Sequence, residues 1–313
     1  MTWAVWAPLL APWITAPAAR RLAALLPPRQ AALLLALSAA AAGSLAGAAL
    51  ALLAAGALLH VPFVAAFGHV SPALLPAGPV TLALGAAAVP GCAVVAWTAA
   101  GTLRRHDSRH LHDELRRTAN SRAGDVVVLA DDGADAYALP GRPGRAGLVV
   151  VTSGMLRSLD GDERAVLLAH ERAHLACRHH LLALVADLAA CLHPALRTVH
   201  EPLAFQAERW ADEVAATVVG DRRLVARAVG RAALAASAAP AAGRPPVAFA
   251  ATAGPVPRRM ASLLAPPVVA RPVAKRVATV LLLCLVVSAT ATAEATDDLH
   301  ENIETAQGAV ARR

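Results

Sequence analysis

Two histidines four residues apart, with a glutamate directly after the first, stand at His170-Glu171-Arg172-Ala173-His174. On an α-helix, residues i and i+4 share a face about 6 Å apart, so both imidazoles can reach a single zinc ion. Glu171 is turned about 100° from His170, beside the metal rather than on it, where it can take a proton from a metal-polarised water. The chemistry is metal-assisted hydrolysis. A catalytic zinc site needs three protein ligands and one open position, and two histidines with a glutamate are an established set. Downstream, Glu208-Arg209-Trp210-Ala211-Asp212 offers Glu208 as the third ligand. Asp212, one turn on, shares its face and can receive the second N–H of a ligand histidine. Glu201, at a helix start beside Pro202, and Glu213, rotated off the Glu208/Asp212 face, are the alternatives. The cysteines contain no CxxC pair, which argues against a thiolate site. Cys177 and Cys191 fall on one predicted helix, too far apart along it for a disulfide.

These side chains need rigid carriers. Ser158, or Asp160 with Glu163 three residues on, supplies a helix N-cap, and the helix it starts is predicted to run to about Leu192, before Pro194. A second helix is expected from about Glu201 to Val219, where Gly220 breaks it, and a third over about 222–236. Ahead of them, residues 125–130, 136–139 and 148–152 read as short strands around the Pro/Gly turn at 140–144. A charged, helical stretch is expected over 104–122.

The rest of the chain reads as membrane. Hydrophobic residues make up 57% and charged residues 16%, against about 25% charged in ordinary globular domains. Alanine supplies much of that apolar count, so uncharged run length is the better guide. Apolar runs at 3–19, 31–59, 79–103 and 277–293 are read as spans, each near the roughly 20 residues a bilayer requires. Arg20, Arg21 and Arg29, then Arg104, Arg105 and Arg109, then Arg271, Lys275 and Arg276, all fall on one side. By the positive-inside rule that side is the cytoplasm. The expected organisation is an N-terminal membrane domain over 1–103, a cytoplasmic catalytic domain over 104–238, a Pro/Ala-rich linker over 239–276, a last span at 277–293 and a short extracytoplasmic tail at 294–313. The fold class is therefore mainly α, with about four transmembrane helices and an α+β zincin-like domain bearing a small sheet. The net charge of +7 does not indicate a nucleic-acid partner, because aromatics are only 3% and no basic cluster is interleaved with them.

The segments 169–174 and 149–156, with Glu208-x-x-Ala211-Asp212, resemble the membrane gluzincin peptidases. These include the zinc peptidases of heat-shock membrane quality control and of prenyl-protein processing. The order of three spans, zinc domain and fourth span is closer to the antirepressor-type peptidases of β-lactam-sensing signal transducers. The motif resemblance covers about 125–231. It implies that His170, His174 and Glu208 bind one catalytic zinc ion, that Glu171 is the acid/base, and that 134–153 supplies an edge strand for an extended peptide. One departure matters: the signal transducers carry a large sensor domain after the last span, where this chain has about twenty residues.

The reading is thus a multi-pass cell-membrane zinc metalloendopeptidase acting on protein or peptide substrates, a transcriptional repressor among the candidates, in regulatory proteolysis or membrane protein quality control. The alternative is a zinc-stabilised membrane sensor or scaffold that no longer cuts. The presence of Glu171, which binds no metal, favours catalysis. His179, His180, His193, His200 and Tyr137 are candidates for stabilising an oxyanion, and spacing does not choose among them.

Overall fold

The computed structural model describes residues 4–75, 78–107, 121–141, 144, 146–238, 249–250, 256–266 and 272–310. Most of the expected helix at 104–122 lies outside them. The described chain is mainly helical, with one small mixed sheet.

Two short helices, α1 (Trp6–Leu10) and α2 (Pro12–Ala23), open the chain. The first expected span is therefore not one long helix. Pro8, Pro12 and Pro17 each lack the N–H that a continuous i to i−4 ladder needs. Instead α2 buries Ala16, Ala19, Leu22 and Ala23 in the main apolar cluster of the helical bundle. Among the described residues, three helices are long and apolar enough to cross a membrane: α3 (Pro28–Leu58), α5 (Pro79–Arg105) and α12 (Pro272–Val310, from Ala274). A short α4 (Pro62–Phe67) fills the connection between α3 and α5. The close approach of α3 and α5 requires Gly85, since a Cβ there would meet the Leu53 carbonyl oxygen at 2.6 Å. The tail expected at 294–313 continues α12 as helix to Val310, and its Ala306 packs against Val70 and Leu75.

Among the described residues the sheet has five strands in the order β1-β2-β4-β3-β5. They are β1 (Ser121–Ala123), β2 (Val126–Leu129), β3 (Ala136–Leu139), β4 (Leu148–Thr152) and β5 (Phe249–Ala250). β2 and β4 run parallel, with Val127 opposite Val150, and the other pairings are antiparallel. The expected three strands are present. β3, however, is not a bare edge: the backbone of β5 pairs with it at Tyr137 and Ala138.

Six helices complete the described domain. They are α6 (Ser153–Ser158), α7 (Gly161–Ala176), α8 (His179–Leu192), α9 (His200–Val219), α10 (Arg222–Ala238) and α11 (Val256–Leu264). Leu167 of α7 joins Ala136, Val149, Val151 and Met155 in one apolar layer, so α7 packs on that face of the sheet. Tyr137, Leu139, Leu148 and Val150 form a separate layer on the opposite face. Two expectations are corrected here. The helix predicted to reach Leu192 is broken after Ala176, and its halves are bent by 53°. Arg178 makes the break, with a left-handed φ of 53°. The stretch read as a linker contains α11, which packs Leu263 into a cluster with Val225, Ala226 and Val229 of α10.

Candidate metal centre

The capping pattern is realised: the Glu163 N–H donates to Asp160 at 2.9 Å and the Asp160 N–H donates to the Glu163 carboxylate at 3.1 Å. That fixes where α7 begins, and so which face carries residues 170 and 174. Arg231 of α10 clamps the buried Glu163 carboxylate at 3.0 Å, tying the helix start to its neighbour.

His170 and His174 point Nε2 at each other, 3.1 Å apart. Glu208, from the middle of α9, closes the triangle, with Oε2 at 3.5 Å from His170 Nε2 and Oε1 at 3.5 Å from His174 Nε2. All three side chains are buried, and their donor atoms converge within 4.8 Å of one another. Metal bonds of about 2.0–2.1 Å in a tetrahedron put ligand atoms about 3.3–3.4 Å apart, so this spacing fits a zinc ion. The charges fit as well. Glu171, Glu208 and Asp212 are sealed from solvent; with His170 neutral as a ligand, the Arg259 guanidinium is the one positive side chain among them in the described residues, leaving two negative charges that a divalent cation balances. Glu201 and Glu213 are not brought in: Glu201 is exposed at the start of α9, and Glu213 pairs with Arg222.

The outer nitrogens of both histidines are also engaged. Nδ1 of His170 lies 3.0 Å from Oδ1 of Asp212. Nδ1 of His174 lies 2.8 Å from Nδ1 of His179. Such outer contacts fix the tautomer that presents Nε2 to the metal. In the metal-free site, burial opposes charge on His170, but Asp212 and Glu208 outweigh it and raise its pKa to about 10. Burial and the neighbouring His170 hold His174 well below 6.5. Burial alone would raise the Asp212 carboxyl, yet the Arg259 hydrogen bonds and His170 bring it down to about 2.

Two residues of the site escaped the sequence reading. Arg259 is fully buried; its Nε and NH2 donate to Asp212 at 2.9 and 2.6 Å, and NH1 reaches Glu208 at 2.8 Å. It comes from α11, inside the supposed linker. His179 was weighed only for an oxyanion role; it packs its ring 4.8 Å from Trp210 and faces His174. The other oxyanion candidates lie elsewhere: His193 bonds the Leu9 carbonyl at 3.1 Å, His200 lies 3.4 Å from Asp187, and Tyr137 is on the sheet face away from α7. His180 is not part of the cluster either.

A histidine pair in HExxH spacing, joined by a glutamate from a later helix, matches the donor set of gluzincin-type metal centres. Residues 104–200 match the model of peptidase family M48, a span that contains the histidine pair and ends before Glu208. A Protease HtpX homolog from Salinibacter ruber is 38% identical over 85 residues, covering 26% of this chain and 30% of that protein. The chain thus matches about a third of the length of that relative. No solved structure matches the chain.

Proposed function

We propose that the chain is an integral membrane zinc endopeptidase, in which His170, His174 and Glu208 hold one catalytic zinc ion and Glu171 is the general acid/base. The observation that carries the reading is the near-tetrahedral spacing of three buried donor atoms around a pocket of matching charge. A divalent ion there supplies Lewis-acid polarisation of a carbonyl and lowers the pKa of water. Glu171, wholly buried one residue after the first ligand, accepts a proton from the attacking water and returns it to the leaving amine. Asp212 and His179 hold the two imidazoles in orientation, and Arg259 balances Glu208 and Asp212.

The substrates on this reading are proteins or peptides, a repressor being one candidate. An extended peptide adding to β3 must use the part of that edge which β5 leaves free, or displace β5. For membrane topology, the basic residues at the ends of α2 and α5 support a cytoplasmic catalytic domain over about 104–238, with α3, α5 and α12 as spans. The test is Glu171→Gln in the full chain. Zinc content should stay at one ion per chain while casein cleavage falls by at least about a hundredfold. Unchanged cleavage would remove the catalytic assignment.

A further inference from the structure

A cavity of about 710 Å³ opens between α9, α11 and the end of α2, lined by none of His170, His174 and Glu208. Arg20, Arg21, Arg209 and Arg258 line it, with Glu201 as the one carboxylate in the lining. Its wall alternates with the metal centre along the chain: Arg209 follows the ligand Glu208, and Arg258 precedes Arg259. Converging guanidiniums repel one another, and this cavity leaves them short of counter-charge. Glu213, close by on α9, is already paired with Arg222. Nε of Arg209 is sealed from solvent and has no hydrogen-bond acceptor among the described residues. Arg258 and Arg209 both lie over the Phe205 ring, at 4.5 and 5.9 Å, which holds their forks at the cavity wall.

We infer that this cavity binds a phosphate-bearing anion, and that the ligand is the headgroup of an anionic phospholipid. Guanidinium forks match phosphate oxygens in geometry and charge. The lipid half of the argument comes from α2. Trp13, Pro17, Arg20 and Arg21 recur at helical spacing on one face, and Trp13 and Ile14 are exposed, at 59% and 55%, above the cavity-lining Pro17. An apolar strip therefore leads down to a basic pocket, the profile of an acyl chain above its headgroup. The lipid identity rests on the cytoplasmic topology proposed above; the anion site does not.

Native mass spectrometry of the full chain in detergent tests this, with phosphatidylglycerol, phosphatidylcholine and inorganic pyrophosphate as separate probes. The wild type should retain phosphatidylglycerol in preference to phosphatidylcholine. Arg209→Gln with Arg258→Gln should lower that apparent affinity about thirtyfold, and Arg20→Gln with Arg21→Gln, at exposed positions that tolerate exchange, should do the same. Arg104→Gln with Arg105→Gln, basic residues outside the cavity, should leave it unchanged. Pyrophosphate that binds and competes as strongly as the lipid would keep the anion site and overturn its lipid identity. Equal retention of both lipids by the wild type, or full phosphatidylglycerol retention by both cavity variants, would overturn the proposal. Zinc is not part of this readout, so its outcome is independent of the metal centre.

Discussion

Arg259 grips Asp212 through two guanidinium nitrogens, at 2.9 and 2.6 Å, with both residues sealed from solvent. Asp212 in turn stands 3.0 Å from His170, so a residue on α11 reaches a proposed metal ligand on α7 through one carboxylate. Removing the guanidinium leaves two buried carboxylates that share one remaining partner, the His170 imidazole. Arg259→Leu should therefore destabilise the fold by about 3–5 kcal/mol, measured by chemical denaturation of the detergent-solubilised chain. Arg259→Lys keeps the charge but not the fork; it should recover part of that stability while zinc affinity stays about 10–100-fold weaker, measured by chelator competition.

The contact between His174 and His179 predicts a second loss of metal affinity. His179→Ala frees the outer nitrogen of His174 and opens a gap beside Trp210. Zinc affinity should fall about 10–100-fold, whereas the same change at His200, paired with Asp187 away from the centre, should leave it unaltered.

Zinc uptake should release a proton. The metal-free site holds His170 protonated, with its pKa raised from 6.5 to about 10, while His174 is already neutral. In that state the charged imidazole stabilises the fold fully below pH 6.5 and progressively less as pH rises toward about 10. Zinc must displace that proton, so its affinity rises with pH across the same window, close to tenfold per unit. Calorimetry at pH 7.5 in buffers of different ionisation enthalpy should return about one proton released per zinc bound.

Gly154, the second residue of α6, lies directly against the loop before β3. A Cβ there would sit 2.1 Å from the Asp132 carbonyl oxygen and 2.6 Å from that of Gly133, and both are backbone atoms. Gly154→Ala should cost about 1–3 kcal/mol and weaken the join between β4 and α6, seen as a lowered thermal midpoint with zinc stoichiometry retained.

The parts of the site legible in the sequence are those that depend on regular geometry. His170 and His174 follow from a one-turn spacing on a helix whose cap is also readable, and Glu208 with Asp212 repeats that spacing on α9. His179 was not legible because a straight helix would turn it about 140° away from His174. The left-handed Arg178 bends the chain and swings it back, and nothing in the residue type demands that conformation. Arg259 was hidden by sequence distance and by the Pro- and Ala-rich composition around it. Its signal was the spacing of Val256, Met260 and Leu263, which marks one apolar helical face. In the first apolar run, Pro8, Pro12 and Pro17 marked the helix as imperfect, and the structure divides it into α1 and α2. The covered edge of β3 depends on a distant two-residue strand, too short to carry any alternation of its own.

X-ray absorption at the zinc edge of the purified full chain bears most directly on the metal centre. The expected spectrum has only nitrogen and oxygen neighbours at about 2.0–2.2 Å, two of them imidazoles, with one oxygen neighbour lost in Glu208→Gln. Sulfur neighbours at about 2.3 Å, or a spectrum unmoved by that substitution, would contradict the site described.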